Sequence, residues 1–254
     1  MIEIERLEDG IVVLTLAHGK ANALDLELCT RLSDMLDELG AEPVPGVVLT
    51  ARGRIFCAGV DLVRMLGGGV EYVRGFLPAL QRVLRSTFSF PAPMVAALNG
   101  HAVAGGCLLA AAADRRLLSD SGARVGVPEL RVGVPFPPEA IEVMRELLPP
   151  SRFRTLVIGG AMLEAGAAHD WGLVDEVVEP ERMMERALEV VRDMASIPGA
   201  AFRLTKRYMR APALGRIEAA NRVEGESLLG IWTEPATFEA VRTFVGKTLG
   251  SRKG

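Results

Sequence analysis

Short runs of apolar residues, some of them alternating with polar ones, recur through the first half of the chain. They are too short for amphipathic helices and predict strands. Asp9 and Gly10, between the first two runs, form a dipeptide typical of hairpin turns. The predicted strands cover residues 2–6, 11–16, 47–50, 94–98 and 115–119.

Helical spacing lies between these strands. Leucines recur on one face over residues 28–39, after Asp25, which is a favourable N-cap residue. Residues 61–65 predict a short helix and residues 70–88 a longer one, with a flexible loop at residues 67–69, Gly-Gly-Gly, between them. A chain that alternates strands with helices predicts an α/β fold in which helices flank a sheet.

The second half of the chain predicts helices alone. They lie at residues 138–148, 150–159, 164–171, 180–195, 198–210, 216–229 and 235–249. Pro180, Pro198 and Pro235 each stand in the first turn of a predicted helix, where proline is tolerated. We therefore divide the chain into an α/β core at residues 1–195 and a C-terminal helical region at residues 196–254. We expect that region to serve assembly and to cover the active site.

Composition excludes several classes of protein. The 254 residues are 49% hydrophobic, which disfavours a disordered chain. The net charge of −3 disfavours a basic surface that would bind nucleic acid. Three scattered cysteines without a C-x-x-C pair oppose a disulfide framework and a cysteine-based zinc site, and we expect no metal. The apolar stretch at residues 94–113 is interrupted by Asn99 and Gly100, and the N-terminus has no apolar leader. We expect a cytoplasmic protein without a membrane partner.

Familiar nucleotide and nucleophile motifs are missing from the sequence. Gly246-Lys247-Thr248 resembles the end of a phosphate-binding loop, but Val241 stands where that motif needs glycine. No G-x-G-x-x-G follows a predicted strand, and no G-x-S-x-G occurs. Dinucleotide binding and serine-based acyl transfer are therefore disfavoured.

Two glycine-containing segments, residues 56–62 and 99–108, each join a predicted strand to a predicted helix. Small residues at such a turn expose backbone N–H groups and allow close approach of a ligand. Two sets of N–H groups that converge on one oxygen would form an oxyanion hole. The pattern alone favours the simpler alternative, tight packing of strand against helix.

These segments and several others, in the same order, resemble the crotonase family of enoyl-CoA hydratases and isomerases over almost the whole chain. The matching pieces are residues 20–24, 56–62, 99–108, 127–130 and 168–174. The resemblance implies a crotonase-like spiral of β-β-α units. It also implies C-terminal helices that build a homotrimer, often doubled to a hexamer.

The resemblance also assigns roles to residues. The amides of Val60 and Gly105 match those that hold the thioester carbonyl in the family. Phe244 and Lys247 match a C-terminal region that can reach the coenzyme A of a neighbouring subunit. Coenzyme A enters as part of an acyl-CoA substrate, and no separate cofactor is implied. The residues that match the coenzyme A and substrate wall are Lys20, Ala21, Ala23, Ala58, Asp61 and Leu62, with Leu108 in the acyl chamber.

The chain departs from the family's hydratases at one of two catalytic glutamates. Glu129 matches one of them, whereas Leu108 stands at the position of the other. Losing a general acid–base group typically costs about 10²–10⁴ in rate. A single carboxylate is enough for an isomerase, in which Glu129 would move a proton from C2 to C4 of a 3-enoyl thioester. Δ3,Δ2-enoyl-CoA isomerases of the family resemble the chain here, with Ala-Gly-Gly-Cys-Leu and one downstream glutamate.

Other interpretations stay open. The chain could be a hydratase that uses Glu129 alone or with another carboxylate, or a catalytically silent acyl-CoA-binding protein. Glu139 is either a second candidate base or a solvated carboxylate in the first turn of a helix. His18 and His101 have no acidic partner visible in the sequence, which favours structural roles.

Overall fold

The computed structural model describes residues 1–250, with side chains described for residues 1–248. In this part of the chain the strands are β1 (Ile2–Arg6), β2 (Val12–Leu16), β3 (Val47–Ala51), β4 (Ile55–Cys57), β5 (Met94–Leu98), β6 (His101–Val103), β7 (Arg115–Ser119), β8 (Arg124–Gly126), β9 (Met162–Glu164) and β10 (Glu176–Val178). The α-helices are α1 (Leu26–Gly40), α2 (Leu62–Phe88), α3 (Gly105–Ala111), α4 (Glu129–Val132), α5 (Pro138–Leu147), α6 (Pro150–Gly159), α7 (Ala165–Asp170), α8 (Met183–Ala195), α9 (Gly199–Thr233) and α10 (Pro235–Gly250).

Three consecutive β-β-α units form the centre of the fold: β3-β4-α2, β5-β6-α3 and β7-β8-α4. The first strands of the units are parallel neighbours in a six-stranded sheet of order β1-β2-β3-β5-β7-β10. The second strands are parallel neighbours in a four-stranded sheet of order β4-β6-β8-β9. Each unit therefore steps along both sheets at once, which confirms the predicted spiral.

Helix α1 follows its predicted pattern. The Oδ1 atom of Asp25 accepts a hydrogen bond of 2.8 Å from the N–H of Leu28, so Asp25 caps the helix. The face that carries Leu28, Leu32 and Leu36 is buried and packs into the main hydrophobic core. On the other side of the main sheet, α8 contributes Met183, Ala187 and Val191 to a second apolar cluster.

Of two predicted breaks between helices, the first is present in a shorter form. Residues 67–69 are not a three-residue loop, but Gly69, with φ 64° and ψ −156°, interrupts α2 and joins its two helical segments at a kink. The second predicted break, between the helices expected at residues 198–210 and 216–229, is wrong, because α9 runs unbroken from Gly199 to Thr233 and contains Pro212. A helix can retain an interior proline when tertiary contacts outweigh the lost hydrogen bond. On either side of Pro212, Arg210 donates a hydrogen bond to Asp114 and Ala213 is fully buried.

The short strands of the smaller sheet and β10 of the main sheet were missed by the sequence pattern, because runs of three residues carry no usable periodicity. The prediction of helices alone in the second half of the chain is therefore wrong at β9 and β10. The predicted boundary at residue 195 coincides with the end of α8, although the division into two domains stays a prediction. Residues 251–254 of the predicted C-terminal region lie outside the described residues. Among helices of the described part, none is long and apolar enough to cross a membrane.

Candidate active site

The two glycine-containing segments meet at the start of α2 and α3. Gly59 lies just beyond β4 with φ 85°, and a Cβ built on it would stand 2.7 Å from the Cβ of Ala104 and 2.8 Å from the carbonyl oxygen of Val103. Only glycine allows the two turns to touch in this way. Tight strand–helix packing is also present, since a Cβ on Gly106 would stand 2.3 Å from the carbonyl oxygen of Cys57. The two interpretations of these segments are thus compatible.

Backbone hydrogen bonds hold the turn around Val60 in place. The N–H of Leu24 donates to the carbonyl of Gly59 at 2.7 Å, and the N–H of Asp61 donates to the carbonyl of Leu24 at 2.9 Å. The intervening N–H of Val60 donates to no backbone group among the described residues of these turns. Gly105 is the first residue of α3, where an N–H group has no intrahelical acceptor. Both amides are thus available to a ligand.

Residues 20–24 form a wall beside the turn. The N–H of Ala58 donates to the carbonyl of Ala21 at 3.0 Å, which joins this segment to residues 58–61. Asn22, with φ 47°, shapes the wall: its side-chain amide donates to the carbonyls of Arg52 and Ile55 at 3.3 and 2.9 Å. Lys20 is exposed, Ala21 and Ala23 are half-buried, and Asp61 caps α2 by accepting from the N–H of Arg64.

A small, mostly apolar cavity lies between these turns and the helices that cover them. Its volume is about 80 Å³. The predicted residues Ala58, Val60, Leu62, Gly105, Leu108 and Glu129 all line it, whereas Lys20, Ala21, Ala23 and Asp61 do not. The remaining lining residues are Leu80, Val103, Ala104, Pro128, Val132, Val134, Pro135, Pro137, Trp232 and Phe244.

Glu129 is the one ionisable side chain among the described residues that line the cavity. It is 6% exposed, and neither carboxylate oxygen has a hydrogen-bond partner in the described part of the chain. Burial raises the pKa of Glu129 to about 8, and its own backbone N–H offsets only part of that rise. A carboxyl group poised near neutral pH in an apolar cavity is suited to accept and return a proton.

Leu108 lies on α3, is 2% exposed and lines the same cavity as Glu129. It brings no second carboxylate to the cavity and adds to the apolar surface around the first. The neighbouring thiols are inert, since burial raises the pKa of both Cys57 and Cys107 to about 12.

Neither interpretation of Glu139 is supported. Its side chain is fully buried and accepts hydrogen bonds from Arg85 at 2.5 Å, Asn221 at 2.8 Å and Gln81 at 3.1 Å. It is therefore not a solvated carboxylate, and its oxygens are occupied by partners from α2 and α9. It does not line the cavity of Glu129.

The expectation that His18 lacks an acidic partner is wrong. Its Nε2 atom lies 2.6 Å from Oδ2 of Asp25, the residue that caps α1. The pair stands at the base of the wall formed by residues 20–24. His101 accepts a hydrogen bond of 3.0 Å from the N–H of Arg124 and so joins β6 to β8.

The C-terminal helices close the cavity with Trp232, which no sequence pattern singled out, and with Phe244, to which only the family resemblance pointed. Trp232 on α9 is 1% exposed, and its indole N–H donates to the carbonyl of Pro135 at 3.1 Å. Phe244 on α10 lines the cavity of its own chain, and Lys247 is exposed. Trp232 and Glu129 lie far apart in the sequence, and only the folded structure brings them to one cavity.

Comparisons with known proteins agree with this geometry. Residues 6–245 match the family model described as enoyl-CoA hydratase/isomerase. The chain is 26% identical over 248 residues to enoyl-CoA delta isomerase 1, mitochondrial, of Homo sapiens, covering 96% of this chain and 82% of the relative. It is 28% identical over 243 residues to a short-chain-enoyl-CoA hydratase of Clostridium acetobutylicum, covering 94% of this chain and 93% of the relative.

Among solved structures, the crystal structure of human mitochondrial delta3-delta2-enoyl-CoA isomerase superimposes with a TM-score of 0.92 at 26% identity, covering 100% of this chain and 99% of the other. Isomerases and hydratases thus both occur among the similar proteins. The family match extends over nearly the whole chain and agrees with the spiral of β-β-α units. The chain belongs to the enoyl-CoA hydratase/isomerase family.

Proposed function

We propose that the protein is an enoyl-CoA isomerase, which converts a 3-enoyl-CoA to the conjugated 2-enoyl-CoA. The observation that carries the proposal is the solitary carboxylate: Glu129 alone among the described lining residues can accept a proton, and its oxygens are free to do so. Hydration of a double bond needs a bound water and a second acid–base group, and the position that could supply one is occupied by Leu108.

In the proposed reaction, ionised Glu129 removes a proton from C2 of the substrate. The C2–H electron pair becomes part of a dienolate, whose negative charge lies on the thioester oxygen between the amides of Val60 and Gly105. Each such donor contributes roughly 2.7–4 kcal/mol to stabilising an oxyanion. Protonated Glu129 then delivers the same proton to C4, and the double bond moves from C3–C4 to C2–C3. Atoms and charge balance without a metal or a redox cofactor.

Lys20, Ala21, Ala23 and Asp61 are proposed to contact the coenzyme A portion of the substrate outside the cavity. The hydrogen bonds that join residues 20–24 to residues 58–61 support this role, because they place this wall beside the Val60 amide. We also propose a homotrimer or a dimer of trimers. Exposed apolar side chains along α9, among them Tyr208, Met209 and Val223, support an assembly surface there. A cytoplasmic location stays a prediction.

The test is incubation with 3-hexenoyl-CoA while the absorbance of the conjugated product is followed, beside a parallel assay of water addition to 2-hexenoyl-CoA. Isomerisation much faster than hydration supports the proposal. Hydration as the faster reaction would favour the hydratase alternative. Binding of acyl-CoA without turnover in either assay would favour a catalytically silent protein.

A further inference from the structure

We infer that Trp232 limits the length of the acyl chain and makes the enzyme selective for short thioesters over long ones. The inference rests on the proposed function only in taking acyl-CoA as the class of substrate. Its physical basis does not depend on the reaction. That basis is the volume of the cavity and the way in which the indole of Trp232 is fixed in its lining.

The cavity is too small for a long chain. At about 80 Å³ it lies well below the roughly 300–1,000 Å³ that is typical of ligand pockets. The thioester carbonyl and the carbons from C2 to C4 have to fit into this space before any longer chain does. A medium or long chain would have to displace side chains from the lining.

Trp232 is the largest of these side chains and is held at both ends. Its indole N–H is bonded to the carbonyl of Pro135 at 3.1 Å. Its ring lies 6.5 Å from that of Phe76, which in turn stacks on Tyr72 at 5.7 Å. Moving the indole would leave the N–H unpaired and disturb this aromatic row, so it resists displacement.

Other lining residues offer less resistance. Phe244 is only half-buried and lies on the last described helix, and Leu80 and Val134 are smaller than an indole. Trp232 is also joined through Pro135 to the segment that follows Glu129, so the same contact that fixes the indole shapes the cavity beside the base. Chain-length selection is therefore assigned to this residue.

The experiment measures binding rather than turnover, so it remains informative if the isomerase proposal fails. Dissociation constants of saturated butanoyl-, hexanoyl-, decanoyl- and dodecanoyl-CoA are determined by calorimetry for the wild type, Trp232→Leu and Trp232→Phe. We expect the wild type to bind the two short thioesters at least about tenfold tighter than the two long ones, a difference of about 1.4 kcal/mol. Trp232→Leu should reduce or reverse that ratio, and Trp232→Phe should change it less.

Trp171→Phe is the matched control, because Trp171 lies outside the cavity with Arg152 over its ring at 4.5 Å, and its replacement should leave the ratio unchanged. If the wild type binds dodecanoyl-CoA as tightly as butanoyl-CoA or more tightly, the inference is overturned, even if Trp232→Leu does not fold. A folded Trp232→Leu variant with an unaltered ratio would overturn it as well. Short-chain selectivity without isomerisation would support the inference and refute the proposed function.

Discussion

Leu108 and Glu129 line one small cavity, the first from α3 and the second from the start of α4. The family resemblance implies that this apolar side chain stands where hydratases carry a second carboxylate. Burial in this cavity leaves Glu129 without hydrogen-bond partners among the described residues and raises its pKa to about 8. In the proposed reaction, Leu108 therefore leaves Glu129 as the one acid–base group and adds to the apolar surface that raises the pKa of that group.

The first prediction concerns this pair of residues. Leu108→Glu should introduce measurable water addition to a 2-enoyl-CoA and should slow isomerisation, since a second carboxylate would raise the pKa of Glu129 further. Leu108→Met is the control, because it preserves volume and apolar character and typically costs less than about 1.5 kcal/mol. Both reactions are followed by absorbance. Hydration by the wild type that equals hydration by Leu108→Glu would contradict the proposed role of Leu108.

The rate should depend on pH through the raised pKa of Glu129. The base acts as the carboxylate, which forms as the pH rises through about 8. We therefore expect kcat/KM to fall about tenfold for each pH unit below that value and to level off above it. Binding of a saturated acyl-CoA, measured over the same range, separates loss of ionisation from loss of affinity. A profile that is flat between about pH 6 and 9 would exclude a base with this pKa.

The same group should make the free energy of unfolding depend on pH. Burial raises the pKa of Glu129 to about 8 in the folded chain, whereas its ordinary pKa, taken for the unfolded chain, is 4.5. Between these values the folded chain holds more protons, so stability falls as pH rises, by on the order of 1.4 kcal/mol per pH unit. In urea titrations, the free energy of unfolding of Glu129→Gln relative to that of the wild type should rise from pH 5 to pH 8 by about the same amount per pH unit. Parallel curves for the two proteins would refute the expectation.

The contact between the two turns can be tested with two glycines of similar backbone geometry. Gly59 has φ 85° and Gly53 has φ 82°, but a Cβ meets close atoms at Gly59 and nothing within 4 Å at Gly53. Gly53→Ala should therefore cost only backbone strain, about 1–2 kcal/mol, and should leave kcat unchanged. Gly59→Ala should cost more stability and lower kcat, because the turns that position the Val60 and Gly105 amides must separate. Equal kcat values for the two variants would argue against that positioning role.

The sequence predicted those parts of the fold that carry strong local signals. The strands β1, β5 and β7 and the helix α6 were predicted with their observed bounds, and α1 with its cap at Asp25. The three adjacent glycines predicted a break at residues 67–69, and the structure has a shorter one there, because Gly69 alone leaves helical geometry and forms the kink of α2.

The candidate site was predictable where it depends on local turns and not where it depends on distant contacts. Glycines at residues 59 and 105 and the carboxylate at residue 129 are visible in the sequence. The ion pair between buried Glu139 and exposed Arg85 comes from the packing of α5 against α2, and the position of Trp232 comes from the packing of α9 against both. No pattern within a single segment reports on such a contact.

The measurement that bears most directly on the proposed chemistry is turnover of 3-hexenoyl-CoA by Glu129→Gln, a variant that keeps the shape of the side chain but cannot act as a carboxylate base. Affinity for saturated hexanoyl-CoA is measured on the same sample to show that the site is intact. We predict a loss of at least about 10²-fold in kcat with binding retained. Undiminished turnover by the folded variant would show that Glu129 is not the base.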